Sequence, residues 1–483
     1  MSGLAILGIF VVAAGLMFRR VLPALLALPL MAVAIAGVEV AAGRLTLMDL
    51  AQAVVADGSV RLAEPMVIAM MGGMVSQLLH KTGVARNLVR VGAELAGDNP
   101  WLVALGLLGV VALLFTSIGG LGAVIMVGTI TLPILASLGI RDTTAAGVLL
   151  FGITLGGILN PGNWAVYQTV LQLDRAVVSQ YALTIFATVA LGAVVFVLVE
   201  SWRSGTLRPL GWLGWSVCAV GGVGLASVGF GWLPALSPAG LHWLTGVAGL
   251  GIVASLATDQ WRQRPGLGWY AYLTPLVPLI LILVFQIPSI PAFGLGFVYG
   301  LVTTWTRGGI NRATGAMLEG SASVMAAVVL MVGIGMLLSA VLGPTRTGPG
   351  AYWYTGAEDQ VWPVVATMQP LLAQLVPQSR PAYVVLFALL GPLALYRGPL
   401  NVWGLGYGIG GVMLAAGLPA GAVMGVLMSL GVIQGVSDPT NTHNVWLANE
   451  VRVDVNALLW RTLPYAWGIA CVGLVLAAGR FLT

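Results

Sequence analysis

Apolar stretches long enough to cross a bilayer recur from one end of this chain to the other, and no other feature constrains its fold as strongly. A helix that spans the hydrocarbon core needs about 20 apolar residues. Such stretches lie near 3–18, 21–40, 65–80, 100–116, 180–200, 210–230, 241–257, 270–287, 291–305, 321–342, 361–376, 383–395 and 464–482. Only 8% of the 483 residues are charged, whereas a soluble domain carries about 25%. Lipid must therefore be the solvent for most of the surface. The first stretch runs into Arg19-Arg20 and has no small-residue cleavage site, so it reads as a membrane helix and not as a signal peptide. The expected fold class is an all-α polytopic membrane protein.

The remaining composition narrows the function. The net charge of +5 is spread as arginines between apolar runs, which suits orientation by the positive-inside rule and not nucleic-acid binding. Arg19-Arg20, then Lys81, Arg86 and Arg90, then Arg203 and Arg208, then Arg262 and Arg264 mark expected cytoplasmic loops and place the N-terminus outside. Cys218 and Cys471 lie far apart in apolar stretches, and His80, His242 and His443 are the whole histidine complement. Neither a disulfide framework nor a multi-histidine metal site is expected. No HExxH, GxSxG or Walker A motif occurs, so the chain is not expected to be an enzyme or an ATP-driven pump. In Thr82–Asp98, Arg86, Arg90 and Glu94 recur every fourth residue, the pattern of a helix with one polar face lying in the interface.

Two segments, 117–164 and 396–446, are apolar but interrupted by Gly, Pro, Ser, Thr and Asn. Irregular backbone at membrane depth survives only where protein buries it or where it lines a wet cavity. The two segments also resemble each other. Gly139 matches Gly417, Asn160-Pro161-Gly162-Asn163 matches Asp438-Pro439-Thr440-Asn441, and Thr184 matches Thr462. All are separated by 278 positions (417 − 139, 438 − 160, 462 − 184). Upstream, MMGGMVSQLLHKTG at 70–83 resembles MVGIGMLLSAVLG at 331–343 at a different offset. The expected organisation is N-terminal membrane helices at 1–58, a first repeat at 59–204, connecting helices at 205–305 and a second repeat at 306–483. Paired Gly/Pro-interrupted segments in two halves point to a transporter's binding site.

Each half offers a Gly-rich turn and an interrupted helix. Proline lacks an N–H and frees carbonyls upstream, while the helix that restarts presents free N–H groups and a positive end. Both suit an anion carried together with a cation. The expected substrate-binding residues are Ser117, Gly119, Gly120, Asn160, Gly162, Asn163, Arg397, Asn401, Thr440, Asn441, Thr442 and His443. The expected cation-binding residues are Thr116, Asn160, Ser437, Asp438 and Asn441, with Na⁺ as the one ion expected and no other cofactor. Arg397 lies in an apolar segment, where a substrate carboxylate would match its guanidinium; snorkelling to the interface or an acidic partner is the alternative. Asp438 reads either as a carboxylate ligand or proton carrier, or as a helix cap. His443 reads as its hydrogen-bond partner, and Glu64 and Glu319 as caps at helix starts.

Three stretches carry a family resemblance: 70–92, MMGGMVSQLLHKTGVARNLVRVG; 111–164, ending in Asn160-Pro161-Gly162-Asn163-Trp164; and 434–467, QGVSDPTNTHNVWLANEVRVDVNALLWRTLPYAW. They resemble the ion transporter superfamily of elevator-type secondary carriers, nearest its gluconate permease and citrate transporter branches. Asp438-Pro439 matches the gluconate permease signature, whereas Asn441, Thr442 and His443 depart from it, and Ser117-Ile118-Gly119-Gly120 lacks that family's acidic residue. The resemblance implies inverted repeats, re-entrant hairpins at 117–138 and 396–416, and interrupted helices at 143–175 and 421–455. It also implies a mobile transport domain against a scaffold, usually a homodimer. The expected function is H⁺- or Na⁺-coupled transport of a small organic anion across a bacterial inner membrane. A cation/proton antiporter and an arsenite-like oxyanion extruder of the same superfamily are the alternatives.

Overall fold

A computed structural model of the chain describes residues 2–19, 21–95, 97–209, 250–252, 254–256, 258, 267–306, 308–344, 361–372, 376–377 and 379–482. The expected helices at 210–230 and most of 241–257, with Cys218, His242, Arg262 and Arg264, lie outside the described residues. The chain is an all-α polytopic membrane protein. Among the described residues, eight helices are long and apolar enough to cross a membrane: Ala24–Ala41, Leu47–Thr82, Gly120–Ser137, Asp142–Leu159, Arg175–Ser204, Met325–Leu342, Ala420–Glu450 and Val455–Phe481.

Among the described residues the helices fall into two runs of ten, with short helical pieces at 250–252 and 254–256 between them. The first run is α1 (Ser2–Phe18), α2 (Ala24–Ala41), α3 (47–60, with a π-helical middle), α4 (Ala63–Thr82), α5 (Val84–Leu95), α6 (Pro100–Phe115), α7 (Gly120–Ser137), α8 (Asp142–Leu159), α9 (Pro161–Leu171) and α10 (Arg175–Ser204). The second is α11 (Trp269–Leu283), α12 (Ser289–Thr303), α13 (Gly309–Ser323), α14 (Met325–Leu342), α15 (Pro363–Leu372), α16 (Arg380–Leu390), α17 (Val402–Ala415), α18 (Ala420–Ser437), α19 (Thr442–Glu450) and α20 (Val455–Phe481). α11 opens as a 3-10 helix, Trp269–Leu276, in keeping with Pro275 and Pro278, which cannot donate to an α-helical ladder.

Corresponding helices keep register. α8 and α18 begin and end 278 positions apart (420 − 142 and 437 − 159). α3 and α4 begin 262 positions before α13 and α14 (309 − 47 and 325 − 63). The change of offset falls in 343–362, between α14 and α15, where the first run has only Gly83. Residues 1–58 supply α1, α2 and most of α3, and residues 267–305 supply α11 and α12.

Glycine contacts display this correspondence. A Cβ built on Gly73 would stand 2.3 Å from the Gly320 carbonyl oxygen, and one on Gly320 would stand 2.4 Å from that of Gly73. A Cβ on Gly335 would stand 2.3 Å from the Gly58 carbonyl oxygen. Gly58 and Gly73 are the 262-position equivalents of Gly320 and Gly335. So α4 crosses α13 as α14 crosses α3, backbone against backbone, through the small residues that membrane helices use for close approach. Further along, α10 and α20 pack antiparallel. The Tyr181 hydroxyl donates to the Gly473 carbonyl at 3.0 Å, and Arg480 donates to the Gln180 side chain at 2.7 Å. Toward the other end of α10, the fully buried Glu200 pairs with Arg461 and accepts from the Tyr465 hydroxyl at 2.8 Å. Equivalent helices running in opposite directions are the signature of inverted topology.

Glu319 is not a cap at a helix start, as expected from sequence. It lies late in α13 and pairs with Lys81 at 2.8 Å. Arg86, Arg90 and Glu94 are exposed together on α5, while Val84, Ala85 and Val89 are buried, as the four-residue spacing predicts.

Substitution at the glycine crossing tests the close approach. Gly73→Ala forces the two backbones apart and is expected to destabilise by about 1–3 kcal/mol. Gly109→Ala, where a Cβ meets nothing within 4 Å, is expected to leave the thermal midpoint in detergent unchanged or raised. Equal midpoints for the two variants would remove the crossing as a determinant of the fold.

Candidate functional site

Two hairpins and two helix breaks come together in the second part of each repeat. The first hairpin is α6 and α7 joined at 116–119, and the second is α16, a 3-10 turn (Gly391–Ala394) and α17 joined through 395–401. The sequence places the hairpins at 117–138 and 396–416. That range holds only the tip and second arm, because the first arm reads as an ordinary apolar helix. α16 has 11 residues, about 16 Å at 1.5 Å per residue, roughly half of the ~30 Å hydrocarbon core. The tips are sheltered by protein: Thr116, Ser117, Ile118, Leu395, Leu400 and Asn401 are all buried.

The breaks fall where proline dictates. α8 ends at Leu159 because Asn160 takes an extended backbone ahead of Pro161, which then opens α9. α18 ends at Ser437 because Asp438 does the same ahead of Pro439. The interrupted helices are thus 142–171 and 420–450, close to the expected 143–175 and 421–455. After each break the half-helix packs on the other repeat's hairpin. Tyr167 of α9 meets Tyr407 of α17 edge-on at 5.8 Å, and Trp446 of α19 covers Gly128 of α7.

The first break is closed by side chains. Asn160 Oδ1 accepts from the Gly162 N–H at 2.9 Å, and its amide donates to the Phe115 carbonyl at 3.3 Å. The Asn163 amide donates to the Gly157 carbonyl at 2.7 Å, and the Trp164 indole to that of Ile158 at 2.7 Å. Gly162 lies against Ile68 of α4. The Gly157 and Ile158 carbonyls, upstream of the break, thus each accept from a side-chain donor. Thr116 and Ser117 also face away from the break. The Thr116 hydroxyl lies 2.7 Å from the Leu113 carbonyl of its own helix and 3.1 Å from the Pro275 carbonyl, to which Ser117 donates. Gly119 precedes α7 in extended conformation, while Gly120 has φ +82° and sits by the Ser323 carbonyl at the end of α13. The first hairpin tip is therefore fastened to α11 and rests against α13.

The second break is organised by one carboxylate. Asp438 is 1% exposed. Its Oδ1 accepts from the Tyr396 N–H, the Thr440 N–H and the Thr440 hydroxyl at 2.9, 2.9 and 2.8 Å. Its Oδ2 accepts from the Asn401 amide at 2.9 Å, with the Arg397 N–H at 3.5 Å. Tyr396 and Arg397 are consecutive left-handed residues, φ 55° and 53°, a conformation that side chains other than glycine disfavour. Their N–H groups converge on the anion as in a backbone nest. Both oxygens of Asp438 thus meet donors, as those of a cap and latch do. Its recorded partners do not include His443. Asn441 caps α19, with Oδ1 3.4 Å from the His443 N–H. Thr442 is exposed and His443 half-buried. The Arg397 side chain is exposed at the tip and, among the described residues, pairs with no carboxylate.

Sequence reasoning missed Gln434, whose side-chain oxygen accepts from the Val402 N–H at 2.7 Å and so holds the start of α17. It also missed Asn444, whose amide donates to the Val436 carbonyl at 3.1 Å, and Thr462, whose hydroxyl lies 3.3 Å from that oxygen and 3.0 Å from the Leu458 carbonyl of its own helix. Comparing the repeats position by position would have exposed the first two, because Gly156 and Val166 stand at the equivalent places.

No protein-family model and no curated protein matches the chain. Among solved structures it is similar to the YdaH transporter of Alcanivorax borkumensis, with 15% identity, a TM-score of 0.42, and 86% of this chain and 84% of that one covered. It is also similar to MtrF of Neisseria gonorrhoeae, described as illuminating a class of antimetabolite efflux pumps, with 14% identity, a TM-score of 0.48, and coverage of 92% and 84%. Overlaps this loose leave the function to be read from the residues themselves.

Removing the latch should free one part of the tip and spare another. In Asp438→Ala, the Tyr396 and Arg397 amides are expected to exchange with deuterium roughly 10–100-fold faster, the loss of hydrogen bonds to a charged group. Val402 should stay protected, and Gln434→Ala should reverse the pattern. Uniform exchange across 395–402 in both variants would show that the tip opens as one unit.

Proposed function

We propose that the chain is a secondary transporter that carries a small organic anion of the carboxylate class, driven by a Na⁺ or H⁺ gradient. The observation that supports this most is Arg397. It is a guanidinium at the tip of a hairpin in an apolar segment, exposed and, among the described residues, with no carboxylate paired to it. It lies beside a helix break whose restarting helix, α19, presents its positive end. Bidentate pairing with a carboxylate is the chemistry such a group offers.

In this reading the hairpins, interrupted helices and α10 and α20 form the moving body. α1–α4 and α11–α14, joined at the glycine crossings, form the scaffold of an elevator-type carrier. It would work as a homodimer in a bacterial inner membrane with its N-terminus outside, and without a catalytic step. The repeats bring one hairpin and one break from each half together, which is where paired-repeat carriers bind substrate.

The test is uptake of labelled small carboxylates into proteoliposomes under an imposed Na⁺ gradient and, separately, a pH gradient. Wild-type uptake of one class under one gradient is expected. Arg397→Ala should lower apparent affinity about 10–100-fold, the value of a charged hydrogen bond or two, and Arg397→Lys should restore part of it. Unchanged uptake by Arg397→Ala would end the carboxylate assignment. Proton movement on adding Na⁺ alone, with no anion uptake, would establish cation/proton antiport instead.

A further inference from the structure

At one end of the antiparallel pair α10 and α20, two arginines share one buried carboxylate. Glu200 is 0% exposed. It accepts from Arg203 at 3.0 Å and from the Tyr465 hydroxyl at 2.8 Å, and it pairs with Arg461. One carboxylate cannot neutralise two guanidiniums, so a positive charge is left over. The side chains of Arg203 and Arg461 are 50% and 26% exposed. Arg461 Nε has no hydrogen-bond partner among the described residues. Arg141 stands beside them and donates to the Arg203 carbonyl at 3.1 Å. A guanidinium has five N–H donors, so each arginine keeps donors for a second anion.

Each of the two arginines follows an exposed tryptophan. Trp202 and Trp460 are both 71% exposed, and neighbours on a helix differ in height by about 1.5 Å. Rings and guanidiniums therefore stand at one level. Along α20, Arg461 and Arg480 are 19 residues apart (480 − 461), about 28 Å, close to the ~30 Å hydrocarbon core. Arg461 thus lies at one boundary of that core and Arg480 at the other. Tryptophan and arginine together at this depth suit the headgroup layer. On α10, exposed Leu191 and Val195 lie 11 and 7 residues before Trp202 (202 − 191 and 202 − 195), on the same face of the helix.

The opposite end of the same helix pair is built otherwise. At 278 positions away, Glu200, Trp202, Trp460 and Arg461 become Ala478, Arg480, Ala182 and Leu183. Arg480 there donates to Gln180 at 2.7 Å and lies over the Phe481 ring at 5.7 Å. Packing of α10 on α20 therefore does not require the charged set, and a buried ion pair is not by itself a source of stability. The charged end is the one that Arg203 and Arg208 mark as cytoplasmic by the positive-inside rule, the leaflet in which anionic lipid collects.

We propose that Arg203 and Arg461, oriented by Glu200 and flanked by Trp202 and Trp460, bind the phosphate of an anionic phospholipid in the cytoplasmic leaflet. Guanidinium matches phosphate oxygens in bidentate geometry, and basic pockets between membrane helices on this side hold anionic head groups. Glu200 holds one nitrogen of each guanidinium and leaves the others to the phosphate. The exposed stripe of Leu191 and Val195 gives an acyl chain a path along α10. A soluble phosphate would gain nothing from that stripe or from the tryptophans. Arg461 directly precedes Thr462, whose hydroxyl is 2.9 Å from that of Ser437 at the end of α18. A lipid held here therefore bears on the turn of α20 that touches the second break.

The experiment follows thermal unfolding of the purified, delipidated full-length protein in a non-ionic detergent, with added phosphatidylglycerol, phosphatidylcholine or inorganic phosphate at one ionic strength. A saturable rise of the midpoint in phosphatidylglycerol is expected, larger than in phosphatidylcholine, since a ligand of the folded state stabilises it. Arg203→Gln and Arg461→Gln should each raise the half-saturating lipid concentration about tenfold, the loss of a charge-assisted hydrogen bond. Arg461→Lys keeps the charge beside Glu200 and should recover part of the affinity. Arg480→Gln, at the other end of α20, should leave it unchanged. Each variant's midpoint without lipid reports whether it has folded, and the more exposed Arg203 carries the test where Arg461→Gln does not fold. The site is overturned if wild type shows no rise specific to phosphatidylglycerol, or if inorganic phosphate alone gives the same rise. It is equally overturned if Arg203→Gln leaves the half-saturating concentration unchanged, or if Arg480→Gln raises it as much.

Discussion

Every backbone N–H and C=O at membrane depth must find a partner inside the protein, because lipid offers none. Two interrupted helices and two hairpin tips would violate that rule many times over if left bare. The break at Asn160 is tolerable because Asn160, Asn163 and Trp164 reach back to the Phe115, Gly157 and Ile158 carbonyls. The break at Asp438 is tolerable because one carboxylate collects the N–H groups of Tyr396, Arg397 and Thr440. The polar residues of the site are thus first of all the means by which irregular backbone survives in an apolar setting.

The two halves solve the same problem differently, and the difference follows from packing. In the first, Gly152 and Gly156 let α8 lie directly against α6, where a Cβ would stand 2.8 Å from Val111 and 2.4 Å from the Ala112 carbonyl oxygen. In the second, Leu430 and Gln434 hold those places, and α16 packs mainly on α20. Gln434 then spans the wider gap to the Val402 N–H. The first tip is fastened to α11 through Thr116 and Ser117, whereas the second is fastened to its own break through Asp438.

Much of the architecture was legible in the residues. Apolar run length fixes the helical membrane class, proline positions locate both breaks, and the 278-position offset aligns α8 with α18 without error at either end. The correspondence of α3 and α4 with α13 and α14 was harder to read. The DGS at 57–59 and EGS at 319–321 share a 262-position offset, and the change of offset between α14 and α15 hides that relation from a search at fixed spacing. The direction in which polar side chains point was not legible at all. Thr116, Ser117 and Asp438 stand out for their chemistry, yet their hydrogen bonds reach the Pro275 carbonyl of α11 and a hairpin tip, which depend on tertiary neighbours no local pattern encodes.

Tyr396 and Arg397 bring these threads together. Holding two successive residues other than glycine in the left-handed region costs of order 1–3 kcal/mol each, and nothing in 395–401 makes that conformation locally favourable. It persists because Asp438 accepts both N–H groups while Asn401 binds the same carboxylate and the Ala394 carbonyl. The shape of the tip is therefore conditional on the break, and the break on the tip. The hydrogen bonds of Asp438 thus hold the strained tip and the end of α18 to one another. In the first repeat the break meets its hairpin through one bond, Asn160 to the Phe115 carbonyl, and no two successive left-handed residues shape the tip.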